Sequence, residues 1–198
     1  MTDTQTSALP IADDSRSFAL PTGPKGHQIR RLGVPRPAGA ALFLWQDVLS
    51  ELCRASQRRP DSFQTAILLG QVREAAAGTG VLVQGYSELA SWRDEMAFLQ
   101  ETLADWSMIV NRVRRGPNSL RPLGWVTMVP GGGGRIRPID EFLHRSLFSL
   151  PFQVMLSLDG EADLCAAWAT DAQGYLVNIG FNLVAPQSGD ARTSGAAP

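Results

Sequence analysis

Residues 123–140 read LGWVTMVPGGGGRIRPID, and this stretch decides the fold. Its apolar start, Leu123 to Met128, predicts a strand, and the four glycines that follow predict an exposed loop. Pro138 and the acidic residues after it predict the first turn of a helix, where proline and negative charge are both favourable. A strand that passes through a bare loop into a helix N-terminus is a common framework for a functional site, because loop groups converge there on free helix amides.

Apolar periodicity on both sides of this stretch predicts further strands and helices. In chain order the predicted elements are a strand (40–44), a helix (45–59), two strands (63–72, 81–86), a long amphipathic helix (92–113), a strand (123–128), a helix (138–150) and three strands (152–158, 164–170, 175–183). The helix after the glycine loop is predicted to bury one apolar face (Ile139, Phe142, Leu143, Leu147). This order predicts an α+β or mixed α/β fold in which helices flank a mixed central sheet.

The composition is that of an ordinary globular domain with a tail at each end. Of 198 residues, 44% are hydrophobic and 19% are charged, and the formal net charge is -1. This balance gives no general attraction to nucleic acid or to an anionic membrane, and no apolar run is long enough to predict a membrane span. Polar, aperiodic composition predicts disordered tails at 1–37 and 186–198 around one domain at 38–185. We expect a cytoplasmic protein, because no secretory signal and no cysteine framework are evident.

The central stretch resembles the core signature of MPN/JAMM domains. That signature reads Gly-Trp-Tyr-His-Ser-His-Pro, followed by a loop and by Ser-x-x-Asp at a helix start. Gly124, Trp125, Pro130 and Asp140 match it in identity and spacing, and the upstream segment AILLG (66–70) resembles the family's Gly-Leu-Leu-Leu-Gly strand. The likeness covers residues 38–185 and implies an MPN/JAMM-like, cytidine-deaminase-like fold.

The residues that give this family its chemistry are replaced here. Active members bind zinc through two histidines, the aspartate and a water, with a glutamate as general base and the serine beside the oxyanion. In this chain the histidine positions hold Thr127 and Val129, the serine position holds Arg137, and the glutamate position falls at or near Phe63. Only Asp140 remains, and one carboxylate does not hold zinc in water. Arg137 would repel a divalent cation and can pair with Asp140 instead, so we expect no metal or other cofactor.

The resemblance therefore implies a catalytically inactive domain that acts as a scaffold or protein-interaction subunit. Its expected partner is a protein, either an MPN paralogue or a second copy of the chain, and not nucleic acid or a membrane. The resemblance also implies a ubiquitin-like pathway as one setting for this role. One alternative is a zinc-dependent (iso)peptidase with an atypical metal set from Asp140, His144 and Asp159, although His144 alone is expected to be a surface or interface residue. Another is a binding module in which the loop's amides and cations hold an anion or an extended peptide. The residues of that module are Gly131, Gly132, Gly133, Gly134, Arg135 and Arg137.

Overall fold

The structure is a computed structural model that describes residues 18–19, 23–24, 27–33, 40–59, 62–75, 78–88, 96–97, 99–100, 120–129, 131–132, 134–159 and 164–186. Its elements in chain order are β1 (Phe18–Ala19), β2 (Gly23–Pro24), β3 (His27–Leu32), β4 (Ala41–Trp45), α1 (Gln46–Arg58), β5 (Gln64–Ala75), β6 (Gly78–Glu88), β7 (Arg121–Met128), α2 (Pro138–Leu147), β8 (Val154–Asp159), β9 (Leu164–Thr170), β10 (Leu176–Ile179) and β11 (Phe181–Pro186).

Nine strands form one mixed sheet in the order β10-β9-β8-β7-β5-β6-β4-β11-β3, and β1 pairs with β2 separately. Three neighbouring pairs are parallel (β11–β4, β4–β6 and β7–β8). Only Gly180 separates β10 from β11, yet the two strands are seven positions apart in the sheet. A flat sheet would place them about 34 Å apart, whereas two consecutive Cα–Cα steps span less than about 8 Å. The sheet must therefore curl until its two ends meet.

The two helices that the structure describes in full lie on opposite faces of this sheet. On the concave side, α1 contacts β4, β6 and β11 and also the distant β8. Its apolar residues Val48, Leu52 and Ala55 are buried in the larger core cluster, together with inward-facing residues of the strands. On the outer side, α2 buries Leu143 against Trp125 and Met155. Side chains alternate between the faces of a strand, so β7 supplies both clusters.

Between residues 40 and 170 the predicted order of strands and helices is confirmed for the described residues, and the fold is a mixed α+β fold dominated by a curled sheet. The predicted strands at 63–72 and 81–86 pair with each other antiparallel, as β5 and β6. The predicted strand at 175–183 is instead two strands, because the chain leaves one end of the sheet at Gly180 and joins the other end. The long helix predicted at 92–113 lies outside the described residues except at positions 96, 97, 99 and 100, which are helical.

The sheet also begins earlier than the predicted domain start at residue 38. Residues 27–32, assigned from the sequence to a tail, form the edge strand β3, which pairs antiparallel with β11. Ile29 of this strand packs against the buried residues Phe43 and Val184. At the other end, β11 reaches Pro186, and the rest of the predicted C-terminal tail lies outside the described residues.

The two cysteines and one apolar residue of α2 show where side chains pack. Cys53 and Cys165 are half-buried against the larger core cluster, and burial together with the nearby Cys53 thiol raises the pKa of Cys165 to about 12. The prediction that Phe142 belongs to the buried face of α2 is wrong, because its side chain is 52% exposed.

In the described ranges, no helix is both long enough and apolar enough to span a membrane.

Candidate functional site

The candidate site begins with a polar row across three adjacent strands. Thr65 of β5 lies directly opposite Thr127 of β7, which in turn lies beside Ser157 of β8. Residues that lie opposite each other in a sheet share a face, and so do residues two positions apart in one strand. Trp125, two residues before Thr127, packs beneath α2 on the outer face. The row therefore lies on the outer face, at the end of β7 that leads into the glycine loop. All three side chains are buried.

Arg137 and Asp140 form a two-point ion pair above this row. Arg137 precedes α2, and its Nε and Nη2 donate to Asp140 Oδ2 and Oδ1 at 2.8 and 2.7 Å. The backbone N–H of Arg137 also donates to Oδ2, at 3.1 Å, so Asp140 caps the helix that carries it. The Asp140 side chain is 0% exposed. Its charge is thus balanced by a guanidinium in the bidentate geometry that binds carboxylates most strongly.

The same guanidinium contacts two further positions that the sequence singled out. Arg137 Nη2 donates to Thr127 Oγ1 at 3.2 Å, and Arg137 Cζ lies 4.8 Å from the centroid of the Phe63 ring. Phe63, Thr127, Arg137 and Asp140 therefore meet at one place. Val129 lies just beyond β7, half-buried, and its backbone N–H donates to the carbonyl of Leu158 at 3.0 Å. Its isopropyl group offers no donor atom to a cation.

The glycine loop is held by hydrogen bonds within the protein. The Gly131 N–H donates to Asp159 Oδ1 at 3.3 Å, and the N–H groups of Gly132 and Arg135 donate to the carbonyls of Val129 and Gly132. Gly131 and Gly134 adopt φ values of 67° and 68°, which favour glycine. Gly133 lies outside the described residues.

These contacts bear on the predicted anion or peptide site in the loop. The amides of residues 131, 132 and 135 are already used, and the Arg137 side chain faces Asp140. Arg135 is exposed, while its carbonyl accepts a hydrogen bond from the Ser157 hydroxyl at 3.1 Å. Of the predicted binding groups, the Arg135 guanidinium is the cation that the structure presents to solvent.

His144 lies one turn after Asp140 and is buried, so the expectation of a surface or interface histidine is wrong. Its Nδ1 accepts a hydrogen bond from Trp125 Nε1 at 3.3 Å, and its ring stacks on Phe148. Because Nδ1 is an acceptor, the proton of the neutral ring resides on Nε2, which has no hydrogen-bond partner among the described residues. Burial lowers the pKa of His144 to about 4. In the sequence, the burial of His144 could have been inferred only from Trp125, whose buried indole N–H needs a hydrogen-bond acceptor.

A three-ligand metal set is not assembled in the described part of the chain. No three His, Cys, Asp or Glu side chains there lie close enough to hold one ion. Asp140 pairs with Arg137, His144 Nδ1 accepts from Trp125, and Asp159 accepts from the glycine loop. The atypical set of Asp140, His144 and Asp159 thus has no shared centre in this geometry.

Comparison with known proteins assigns no family to the chain. No protein-family model matches it, and no curated protein matches it. Among solved structures it is similar to the solution structure of protein DSY2949 from Desulfitobacterium hafniense. That similarity has 15% sequence identity and a TM-score of 0.43, and covers 69% of this chain and 88% of the other. None of these comparisons indicates an MPN/JAMM domain.

Proposed function

We propose that this chain is a catalytically inactive MPN/JAMM-like domain that serves in the cytoplasm as a scaffold or protein-interaction subunit. The observation that carries the proposal is the Arg137 guanidinium, which pairs with the buried Asp140 carboxylate at the position where the resemblance implies a metal. An arginine side chain remains cationic at all physiological pH values. It therefore supplies a positive charge to Asp140 without supplying any Lewis acid.

Zinc would have to displace this guanidinium in order to bind. The carboxylate would lose its two-point contact with the guanidinium, and the displaced arginine, left nearby, would still repel the ion. In return the ion would gain one carboxylate, because Thr127 and Val129 offer no imidazole. Catalytic zinc sites use three protein ligands and one open position. The energetic balance favours the ion pair over the metal.

The proposal is tested by restoring the implied ligands. A variant carrying Phe63→Glu, Thr127→His, Val129→His and Arg137→Ser, with Asp140 kept, should bind one zinc ion per chain. One guanidinium nitrogen touches both Thr127 and Asp140, so an imidazole at 127 has the carboxylate within reach. Zinc content is measured by elemental analysis after dialysis, and affinity is measured by calorimetry.

The matched control adds Asp140→Ala to the same four substitutions and should lose the zinc, because one ligand is missing. A grafted variant that keeps its circular dichroism spectrum but binds no more zinc than this control would refute the MPN-like arrangement. The unmodified chain should hold no stoichiometric zinc and should not cleave ubiquitin-like fusions. Zinc-dependent cleavage by the unmodified chain would refute the inactive assignment and favour the atypical peptidase.

The interaction role is tested separately in the native host. Tagged full-length chain, captured at its native expression level, should be recovered as part of an assembly of fixed stoichiometry. Recovery as a lone monomer would contradict a scaffold role. The anion-binding alternative is tested by Arg135→Ala, since Arg135 is the exposed cation of the loop. Unchanged binding of phosphate or of an acidic peptide by this variant would dispose of that alternative.

A further inference from the structure

The chain contains two cysteines, and both face the concave side of the curled sheet. Cys53 lies in α1 and Cys165 lies in β9, and both are thiols in this structure. Each packs, half-buried, against the larger core cluster. The two sulfurs therefore approach the same part of the interior from a helix and from a strand that are distant in the chain.

A row of paired residues across four adjacent strands shows where Cys165 lies. In this row Gln64 of β5 is opposite Met128 of β7, Met128 is beside Leu158 of β8, and Leu158 is opposite Cys165. Residues that pair in this way share a face of the sheet. Met128 and Leu158 are buried in the larger core cluster, so the whole row faces the concave side.

The second half of α1 lies over this row. Gln64 Nε2 donates to the carbonyl oxygens of Ser56 and Arg59, at 3.3 and 3.1 Å, and ties the end of the helix to the row. Helix α1 also contacts β8, the neighbour of β9 in the sheet. Cys53 precedes Ser56 by about one helical turn. Its thiol is close enough to that of Cys165 to add to the rise in the pKa of Cys165.

The two thiols differ in how easily they react. Burial is the main cause that raises the pKa of Cys165 to about 12, so this thiol stays protonated at neutral pH. Cys53 borders the surface, because Arg54 and Gln57, which follow it in α1, are exposed. The thiolate is the form of cysteine that attacks a disulfide. Cys53 is therefore the thiol that reacts first with an oxidant from solvent, and Cys165 is the thiol that reacts second.

We propose that Cys53 and Cys165 form a reversible intramolecular disulfide when the chain meets a low-molecular-weight disulfide such as oxidised glutathione. The Cys53 thiolate attacks one sulfur of the oxidant, forms a mixed disulfide and expels one glutathione thiolate. The Cys165 thiol then gives its proton to water, and its sulfur attacks the Cys53 sulfur and expels the second glutathione thiolate. The two cysteines lose two electrons and two protons in total, and one oxidised glutathione becomes two reduced molecules.

This bond joins the two halves of the curled sheet. Helix α1 contacts β4, β6 and β11, whereas β9 lies near the opposite end of the strand order. The disulfide fastens the helix to β9 across the interior and closes a long loop of chain. In a reducing compartment such bonds form transiently and respond to oxidation. The inference goes beyond the proposed scaffold role and does not depend on Asp140, so it and the zinc graft can fail independently.

The first test uses the full-length chain, equilibrated in its folded state with mixtures of reduced and oxidised glutathione. The remaining thiols are trapped with an alkylating reagent and counted by mass spectrometry. Both cysteines should be alkylated in reduced glutathione. In excess oxidised glutathione neither should be alkylated, and digestion should release a peptide pair that links Cys53 to Cys165. Oxidation should raise the melting temperature by about 5–15 °C, reversibly with dithiothreitol, because closing a long loop constrains the unfolded chain.

Single-cysteine variants test the order of attack. In Cys165→Ser the reaction should stop at a glutathione adduct on Cys53. In Cys53→Ser the buried Cys165 should form its adduct at least about 10-fold more slowly, because little of it is thiolate. Equal rates of adduct formation in the two variants would contradict the order of attack.

A positional control separates this pair from thiols that merely share the interior. It carries Leu49→Cys with Cys53→Ser, which moves the thiol one turn along the same side of α1, about 6 Å. The Cα atoms of a disulfide lie within about 7 Å of each other, so the control should not form the bond with Cys165. Equal bridging by the control would contradict the pairing.

The unmodified chain decides the inference even where a variant fails to fold. Two alkylated thiols at every glutathione ratio would overturn it. Disulfides that form only between chains, or only after unfolding in urea, would overturn it as well.

Discussion

Replacing Arg137 by methionine should destabilise the protein, because the buried Asp140 carboxyl would lose the guanidinium that pairs with it. The Asp140 side chain is fully buried, and that of Arg137 is only 20% exposed, so solvent screens the pair weakly. Loss of one partner of a buried ion pair costs about 3–5 kcal/mol, and the partial exposure of Arg137 places this pair at about 3 kcal/mol. For a chain of this size the melting temperature should fall by roughly 6–12 °C.

The measurement is urea unfolding at pH 7, followed by circular dichroism and by tryptophan fluorescence. Arg135→Met is the matched control, because Arg135 is exposed and two residues away. It should change the free energy of unfolding by no more than about 0.5 kcal/mol. A loss below about 1 kcal/mol for Arg137→Met, or one equal to that of the control, would refute the assignment of the pair.

The double variant Arg137→Met with Asp140→Leu separates the ion pair from the burial of its members. It removes both charges together, so the penalty of an unpaired buried carboxylate disappears. The cap on the Arg137 amide is still lost, which costs about 1 kcal/mol. The double variant should therefore be more stable than Arg137→Met alone. Strict additivity of the two single losses would show that the side chains are not coupled.

Two further predictions concern residues around this site. Burial holds the pKa of His144 near 4, below its value of 6.5 in the unfolded chain, so the unfolded state binds a proton first as pH falls. The free energy of unfolding should therefore fall by about 2 kcal/mol between pH 7 and pH 5. In His144→Gln, whose side chain does not titrate, urea unfolding at the two pH values should show a smaller fall. An equal fall in both proteins would contradict the prediction. Gly124→Ala should prevent stable folding, because the added Cβ would lie 1.7 Å from the carbonyl oxygen of Val154. Gly78→Ala is its control, since Gly78 also has a positive φ but has open space around it; equal thermal stability of the two variants would refute the clash.

Elements whose contacts are local could be predicted from the sequence, and elements that depend on distant partners could not. Helix α1 and the β5–β6 hairpin follow from apolar spacing within each segment. Strand β3 has exposed arginines and acquires its role from β11, which lies about 150 residues away in the chain. The break at Gly180 likewise sits inside an apolar run that reads as one strand. Only the curl of the sheet explains why the chain changes partner there.

The candidate site was partly predictable for a similar reason. A carboxylate three residues after an arginine at a helix start can pair with it, and the structure contains that pair. The contact of Arg137 with Thr127 and Phe63 joins three separate segments, and it was anticipated only through the resemblance. The burial of His144 was missed because a histidine beside an apolar stripe reads as polar. Its acceptor role depends on Trp125, which is 19 residues away.

The presence of Asp140 does not by itself indicate a metal site. This carboxylate accepts three hydrogen bonds from Arg137, one from the backbone amide and two from the guanidinium. It therefore begins α2 and fixes the side chain that fills the space above β7. Both tasks require an anion at this position of the helix, whether or not a metal ion is ever bound. A residue with such a structural role would be needed in an inactive domain as much as in an active one, so only the added ligands of the zinc graft can separate the two cases.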